Sequence, residues 1–206
     1  MSAENPGRTG RPPLTERRKA QTRLEIAHEA VRLFTAKGVA ATSAEEIAAA
    51  AGISLRTLWR YFPSKESCVL PLLTSGIEVT ARCMRAWPPG EAMTWLLKEM
   101  ERCSQDLVTH LPTLFDLVRL TQSEPGLRAV WLQAHQDAEP VFAAVLAHRA
   151  ALPPDDLSAR MQAAMINTAL RVAMEHHASK PGPPTEEAVL RTVRTAFLTV
   201  AQGLPD

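Results

Sequence analysis

The chain has 206 residues, 46% of them hydrophobic and 22% charged, which is typical of a globular protein with one large domain or two small ones. No apolar run approaches the roughly 20 residues that a membrane-spanning helix needs, and the first residues do not read as a secretory signal. The three cysteines show no C-x-x-C pairing and suit a reducing cytosol, so we expect a cytoplasmic protein with no membrane partner. The net charge of +1 conceals a surplus of basic residues within 1–67, although ordinary scatter of surface charge would also explain it.

The first 14 residues are rich in Gly, Pro and polar side chains, and this composition predicts a disordered arm. The segment Arg8-Thr-Gly-Arg11-Pro12 resembles the R-G-R-P core of AT-hook segments. Arginine is attracted into a narrow minor groove, so Arg11 is a candidate DNA contact. A solvated tail explains the same residues, and both interpretations stay open.

The next stretch predicts three helices. A long first helix is expected over 15–37, ended by a glycine. Ser43, followed three residues later by a glutamate, has the pattern of a capping box at the start of a second helix. Gly52 can end that helix in the left-handed conformation, and Ser54 can cap a third. Two short helices joined by a tight turn predict a helix-turn-helix, whose second helix enters the DNA major groove.

Fixed spacings across residues 15–70 carry a more specific signal. They include Phe34, Gly38, Thr42-Ser43, Ile47-Ala48, Ala51-Gly52-Ile53-Ser54, Thr57-Leu58-Trp59, Tyr61-Phe62 and Ser64-Lys65-Glu66. Together these residues resemble the N-terminal domain of the TetR family of transcriptional regulators. The resemblance implies an all-α fold with an N-terminal three-helix helix-turn-helix DNA-binding domain and a C-terminal helical ligand-binding and dimerisation domain. The rest of the chain resembles the family only in length and helical character.

The resemblance assigns nine residues of this region to DNA contact. They are Ser43, Ser54, Leu55, Arg56, Thr57, Trp59, Arg60, Tyr61 and Lys65. Arg56 would read a guanine through a bidentate contact, with Arg60 as the second choice for a base or a phosphate. The hydroxyl groups would bind phosphate, and Lys65 would hold one at the start of the fourth helix. Trp59 replaces a tyrosine of the relatives, and packing in the core is an open alternative for it. Glu45 also departs from the relatives, which place hydrogen-bond donors at the start of the second helix. It would repel phosphate if it faced DNA.

Prolines and glycines divide the rest of the chain into further predicted helices. These cover residues 65–87, 91–110, 113–123, 125–151, 155–179 and 185–202. Pro71 is expected to bend the first of them, and Pro140 is expected to kink or split the fourth. The last two helices carry small and adaptable apolar residues that suit close packing within one chain or across a dimer. The resemblance implies that they pair with their symmetry mates in a four-helix bundle.

Aromatic and polar residues of the intervening helices could line a ligand cavity. The candidates are Trp95, His110, Phe115, Arg119, Gln122, Trp131, His135 and Asn167. Core packing of the aromatic residues and solvent exposure of the polar ones remain the alternative. We expect no metal, because the adjacent His176 and His177 point about 100° apart on a helix. We expect no cofactor, because no glycine-rich loop that could hold a phosphate is present. The sequence offers no paired acid and base and no nucleophile elbow, so we expect no catalytic site.

These observations divide the chain into an arm (1–14), a DNA-binding domain (15–64) and a regulatory and dimerisation domain (65–206). The expected function is that of a ligand-responsive repressor, which binds a palindromic double-stranded DNA operator as a homodimer and is released by a small-molecule effector. A DNA-binding activator, or a ligand-independent dimeric DNA-binding protein, is the alternative. An enzyme has no support in these residues.

Overall fold

The computed structural model describes residues 14–182 and 185–202, and within these ranges the chain is helical and contains no strand. The α-helices are α1 (Leu14–Lys37), α2 (Ala44–Ala50), α3 (Leu55–Tyr61), α4 (Leu70–Ala86), α5 (Met93–Cys103), α6 (Leu111–Ser123), α7 (Pro125–Arg149), α8 (Leu157–Ala178) and α9 (Glu186–Gln202). Two 3-10 helices, Glu66–Val69 and Gln105–His110, precede α4 and α6. No helix in the described ranges is both long and apolar enough to cross a membrane. The predicted all-α fold is confirmed.

The first three helices form a small head around one face of α1. Ile26, Ala30 and Phe34 lie three or four residues apart on that face and are at most 1% exposed. Ile47 of α2 and Leu58 of α3 are fully buried in the same core. Helices of seven residues are marginal in isolation, so this packing is what holds α2 and α3 in place.

The turn between α2 and α3 has the local geometry that the sequence predicts. The amide of Glu46 donates to Ser43 Oγ (3.2 Å) and the amide of Ser43 donates to Glu46 Oε2 (2.8 Å), which completes the capping box. Gly52 has φ of +66°, a conformation that glycine adopts without the steric cost of a Cβ. Ser54 Oγ accepts from the amide of Thr57 (3.1 Å) and caps α3. The predicted helix-turn-helix is confirmed.

The head packs directly on the rest of the described chain, from the first 3-10 helix to α9, which we call the body. α1 packs against α4, α6 and the 3-10 helix that precedes α4. His28 of α1 also meets His110 at the end of the second 3-10 helix, with its Nε2 2.9 Å from Nδ1 of His110. In the body, α7 packs against α4, α6 and α8, while α9 packs against α8 and α5. α1, against which α2 packs, is therefore coupled to the body by side-chain packing as well as by chain connectivity.

Several predicted helix boundaries were wrong. The helix expected over 65–87 is a 3-10 helix followed by α4, so Pro71 lies in the first turn of α4, where no intrahelical bond is lost. The helix expected over 91–110 divides into α5 and a 3-10 helix, and α6 begins at Leu111. α7 continues through Pro140, so the predicted split is wrong. Pro140 and Gln136, one turn before it, are both exposed, and water can satisfy the carbonyl that the proline leaves unpaired.

Candidate nucleic-acid interface and body cavity

α3 presents a basic and aromatic face to solvent. Arg56, Trp59 and Arg60 are exposed, and their spacing of three and four residues puts them on one side of the helix. Leu58 lies fully buried on the opposite side, and Leu55 is half-buried against the head core. Trp59 is 45% exposed, so the alternative of core packing is wrong for it. α3 thus offers two guanidinium groups and an indole to a binding partner.

The hydroxyl groups at the starts of α2 and α3 take part in helix capping. Ser54 Oγ accepts from the amide of Thr57 and lies 2.9 Å from Thr57 Oγ1. Ser43 Oγ caps α2 in the same manner. All three residues are at least partly exposed. A hydroxyl oxygen has two lone pairs and a rotatable proton, so capping leaves capacity for a contact to a phosphate.

Two arginines stack over aromatic rings at the C-terminal end of α3. The guanidinium of Arg60 lies 5.3 Å from the ring centroid of Tyr61, and that of Arg23 lies 5.4 Å from the centroid of Phe62. Stacking of this kind orients a guanidinium and leaves its N–H donors available for hydrogen bonds. Arg23 Nε is buried and has no hydrogen-bond partner in the described chain. We add Arg23 of α1 to the candidate phosphate contacts.

Lys65 has a structural role that its position in the sequence does not indicate. Its Nζ donates to the main-chain carbonyls of Val39 (2.7 Å) and Thr42 (2.8 Å), in the loop that joins α1 to α2. These two bonds fix the loop that delivers the chain to α2. An ammonium group has three donors, so one remains for a phosphate. The helix that follows Lys65 begins as a 3-10 helix and not as the predicted α-helix.

The acidic residues at the start of α2 differ in their surroundings. The pKa of Glu46 is lowered to about 2, because Lys37 and the amide of Ser43 both donate hydrogen bonds to its carboxylate. The ion pair with Lys37 offsets the charge of Glu46 at the surface. Glu45 is exposed beside it. Arg11, the candidate contact of the N-terminal arm, lies outside the described residues.

Three of the predicted ligand residues form a buried polar network between α7 and α8. Asn167 donates to the main-chain carbonyl of His135 (2.9 Å), and Asn167 Oδ1 lies 2.7 Å from His135 Nδ1. Trp131 donates to Glu175 (3.0 Å), and Arg128 donates to the same carboxylate (2.6 Å). Burial lowers the pKa of His135, which favours the neutral form of its ring. Most of these groups satisfy one another within the body, although His135 Nε2 is buried and has no hydrogen-bond partner among the described residues.

The other five predicted ligand residues are dispersed. Phe115 is fully buried, with its ring centroid 4.8 Å from that of a histidine in α8. Arg119 is exposed and paired with an aspartate of its own helix, while His110 contacts α1. Trp95 is half-buried against the core. Gln122 lines a cavity of about 500 Å³ between α6, α7 and α8.

A cavity of about 460 Å³ lies between α4, α5, α6, α8, α9 and the second 3-10 helix. Its buried lining residues are all apolar, and they include Val79 of α4, Leu97 of α5, Leu114 of α6, Met174 of α8 and Val193 of α9. None of the eight predicted ligand residues lines this cavity. Sequence reasoning missed its walls because aliphatic residues at helical spacing read as ordinary core.

α8 carries a stripe of exposed apolar side chains. They are Leu157 (70% exposed), Met161 (55%), Met165 (39%) and Val172 (47%). Their spacing places them on one face, while buried residues elsewhere on the helix pack against α7 and α9. Contiguous exposed apolar residues of this kind are typical of a protein–protein interface.

A helix-turn-helix head with an exposed basic second helix, joined to a larger helical body that contains an apolar cavity, defines the class of DNA-binding transcriptional regulators. Comparison with known families is more specific. Residues 26–72 match the tetR family of bacterial regulatory proteins, and residues 87–205, more than half of the chain, match the MftR C-terminal domain. The chain belongs to the TetR family of transcriptional regulators, and its relatives are regulators rather than enzymes.

Individual relatives agree with this assignment. The chain is 29% identical over 156 residues to the HTH-type transcriptional regulator TcmR of Streptomyces glaucescens, a match that covers 70% of this chain and 67% of TcmR. It is 45% identical to MftR of Mycobacterium tuberculosis over 51 residues, which is 25% of this chain and 26% of MftR. The solved structure of the fatty acid degradation regulator FadR from Bacillus halodurans is 17% identical, with a TM-score of 0.56 over 89% of this chain and 96% of FadR. That structure shows the same fold.

Proposed function

We propose that the chain is a homodimeric, ligand-responsive transcriptional repressor, which binds a palindromic DNA operator and is released by a small-molecule effector. The observation that supports this most is the apolar cavity, because one of its walls is α4, the helix that follows the head. A ligand-independent protein has no need of such a cavity. Residues 1–14 would be an arm, 15–64 the DNA-binding domain and 65–206 the regulatory domain, and the protein would act in the cytoplasm.

In this proposal α3 reads the operator. Arg56 lies near the N-terminal end of α3 and binds a guanine in the major groove, while Arg60 contacts a second base or a phosphate. Leu55 and Trp59 make apolar contacts at the groove. The remaining candidates bind phosphate: Ser43, Ser54, Thr57, Tyr61, Lys65 and Arg23, with Arg11 of the arm in the minor groove.

The dimer forms through α8 and α9. The exposed apolar stripe of α8 supports this, because pairing with a second copy would remove it from water. A twofold axis through the pair relates the two heads, so the operator is a palindrome with half-sites about one DNA turn, roughly 34 Å, apart.

Release follows from the position of the cavity. An effector that fits better when its walls move apart favours an arrangement in which the two α3 helices no longer match adjacent grooves. A coupling of about 1–3 kcal/mol between the two sites is typical of such regulators. The ligand therefore needs only a modest preference for the DNA-free arrangement.

Selection of bound sequences from a random DNA pool tests this proposal most directly. We expect a palindrome to be enriched, and the full chain to bind it as a dimer. A reporter gene placed behind that palindrome then tests the sign of regulation, with repression expected. Enrichment of an asymmetric sequence, or binding as a monomer, would contradict the proposal, and activation of the reporter would contradict repression.

A further inference from the structure

The cavity of about 460 Å³ is large enough for a small molecule and too small for a peptide helix. Its polar lining residues are all exposed or half-exposed, and they lie in α5, the second 3-10 helix and the first turns of α9. Its buried lining residues are apolar without exception. The cavity therefore has an apolar interior and a polar mouth.

The charges at the mouth do not reach into the interior. Glu187 and Arg191 pair with each other, at side-chain exposures of 82% and 66%. Glu101 and Arg194 are exposed as well, and Glu186 is partly exposed. A charged group on a ligand would lose its hydration inside the cavity and find no buried partner, which is costly. An uncharged apolar ligand would lose little, and its polar end could reach the mouth.

Gly76 is the residue of α4 that faces this cavity at the level of its backbone. It lies in the middle of α4, where glycine is among the poorest helix formers. A Cβ built at this position would meet no heavy atom within 4 Å, and the backbone conformation is helical, so neither a clash nor a turn requires glycine there. The carbonyl of Gly76 accepts a hydrogen bond from Thr80 Oγ1 (2.9 Å), which leaves the bare Cα as its contribution to the wall.

We propose that this cavity binds a neutral, largely apolar small molecule, and that Gly76 provides the space in which the molecule contacts α4. The contact gives the ligand direct access to the helix that follows the head. The role of the ligand as an effector rests on the proposed function, whereas the site and its ligand class do not.

A neutral fluorescent probe, N-phenyl-1-naphthylamine, tests the site in the full chain. We expect saturable binding by the native chain and by the matched control Arg82→Phe, which adds an aromatic ring at an exposed position of α4 outside the cavity lining. Gly76→Phe should fill the cavity and weaken binding by about tenfold or more. The anionic probe 8-anilinonaphthalene-1-sulfonate should bind the native chain about tenfold more weakly than the neutral probe.

A second variant, Val189→Phe, fills the cavity from α9. It distinguishes the loss of cavity volume from a distortion of α4 that Gly76→Phe could cause. Circular dichroism and melting temperature identify any variant that fails to fold. Absence of binding by the native chain, or unchanged binding in both folded phenylalanine variants, would overturn the site. Equal affinity for the two probes would overturn the ligand class. Operator binding is measured separately, so a chain that binds the probe but no DNA would contradict the proposed function and leave the site standing.

Discussion

At the scale of single residues, Lys65 has a structural role in addition to its proposed contact with phosphate. Its sequence position indicates a phosphate contact, whereas its Nζ is bonded to two carbonyls of the loop between α1 and α2. The carbonyl partners are backbone atoms, which carry no sequence signature. No reading of residue types could have identified them.

Replacing Lys65 by methionine should lower the free energy of unfolding by about 1–3 kcal/mol, because two partly buried carbonyls lose their donor. Urea unfolding of the native chain and the variant measures this difference. Lys98→Met is the matched control, since Lys98 is exposed on α5 and should tolerate the change. Equal losses in the two variants would contradict the structural role of Lys65.

Arg56 is the residue on which sequence recognition should depend most. Arg56→Ala should weaken operator binding by about 1–3 kcal/mol and relax the preference at one base position, because a bidentate contact to guanine is lost. Affinities for the selected palindrome and for its single-base variants measure both effects. Arg85→Ala, at an exposed arginine near the end of α4, is the control for loss of a positive charge. Loss of affinity without a change in base preference would assign Arg56 to phosphate instead.

At the scale of helices, the sequence predicts a helix boundary correctly where residues next to that boundary determine it. Ser43 predicts the cap of α2 and Gly52 predicts the turn that follows α2, and both predictions are confirmed. The start of α4 is different, because it follows a 3-10 helix whose Cys68 and Val69 are fully buried. Tertiary packing of these residues therefore determines where α4 begins. The cavity eluded prediction for the same reason, since its aliphatic walls come from six elements that are distant in sequence.

The stripe on α8 gives a prediction for dimer formation. Met161→Glu should raise the dimer dissociation constant by at least about 100-fold, because an unpaired carboxylate would be buried at the interface. Sedimentation velocity over a range of protein concentrations measures it. Gln162→Glu adds the same charge one residue away, about 100° around the helix, and should have a much smaller effect. A Met161→Glu chain that stays dimeric at low concentration would place the interface elsewhere.

At the scale of the whole molecule, one buried and two partly buried histidines link stability to pH. Burial lowers the pKa of His28, His135 and His177 below the ordinary value of 6.5. The folded chain therefore binds fewer protons than the unfolded chain once the pH falls below about 6.5. Stability from these groups is complete above that value and declines below it.

We expect the free energy of unfolding to fall between pH 7.5 and pH 5.5, a window above the ordinary pKa range of carboxylates. Urea unfolding at several pH values measures the slope. His28→Asn should flatten it, since a neutral side chain replaces one titrating group, whereas His148→Asn, at an exposed residue of α7, should retain it. A native slope of zero would contradict the assigned protonation states.

The packing of the head on both α4 and α6 has a mechanical consequence. Both helices also wall the cavity, through Gly76 and Val79 on one side and Leu111 and Leu114 on the other. Because the head packs on both helices, it rotates as a rigid body only when α4 and α6 move by different amounts. A ligand that displaces both helices equally would translate the head without rotating it. A ligand that moves the two helices apart would rotate the head. Under the proposed mechanism, the shape of a bound ligand, and not only its affinity, therefore determines how far the head rotates.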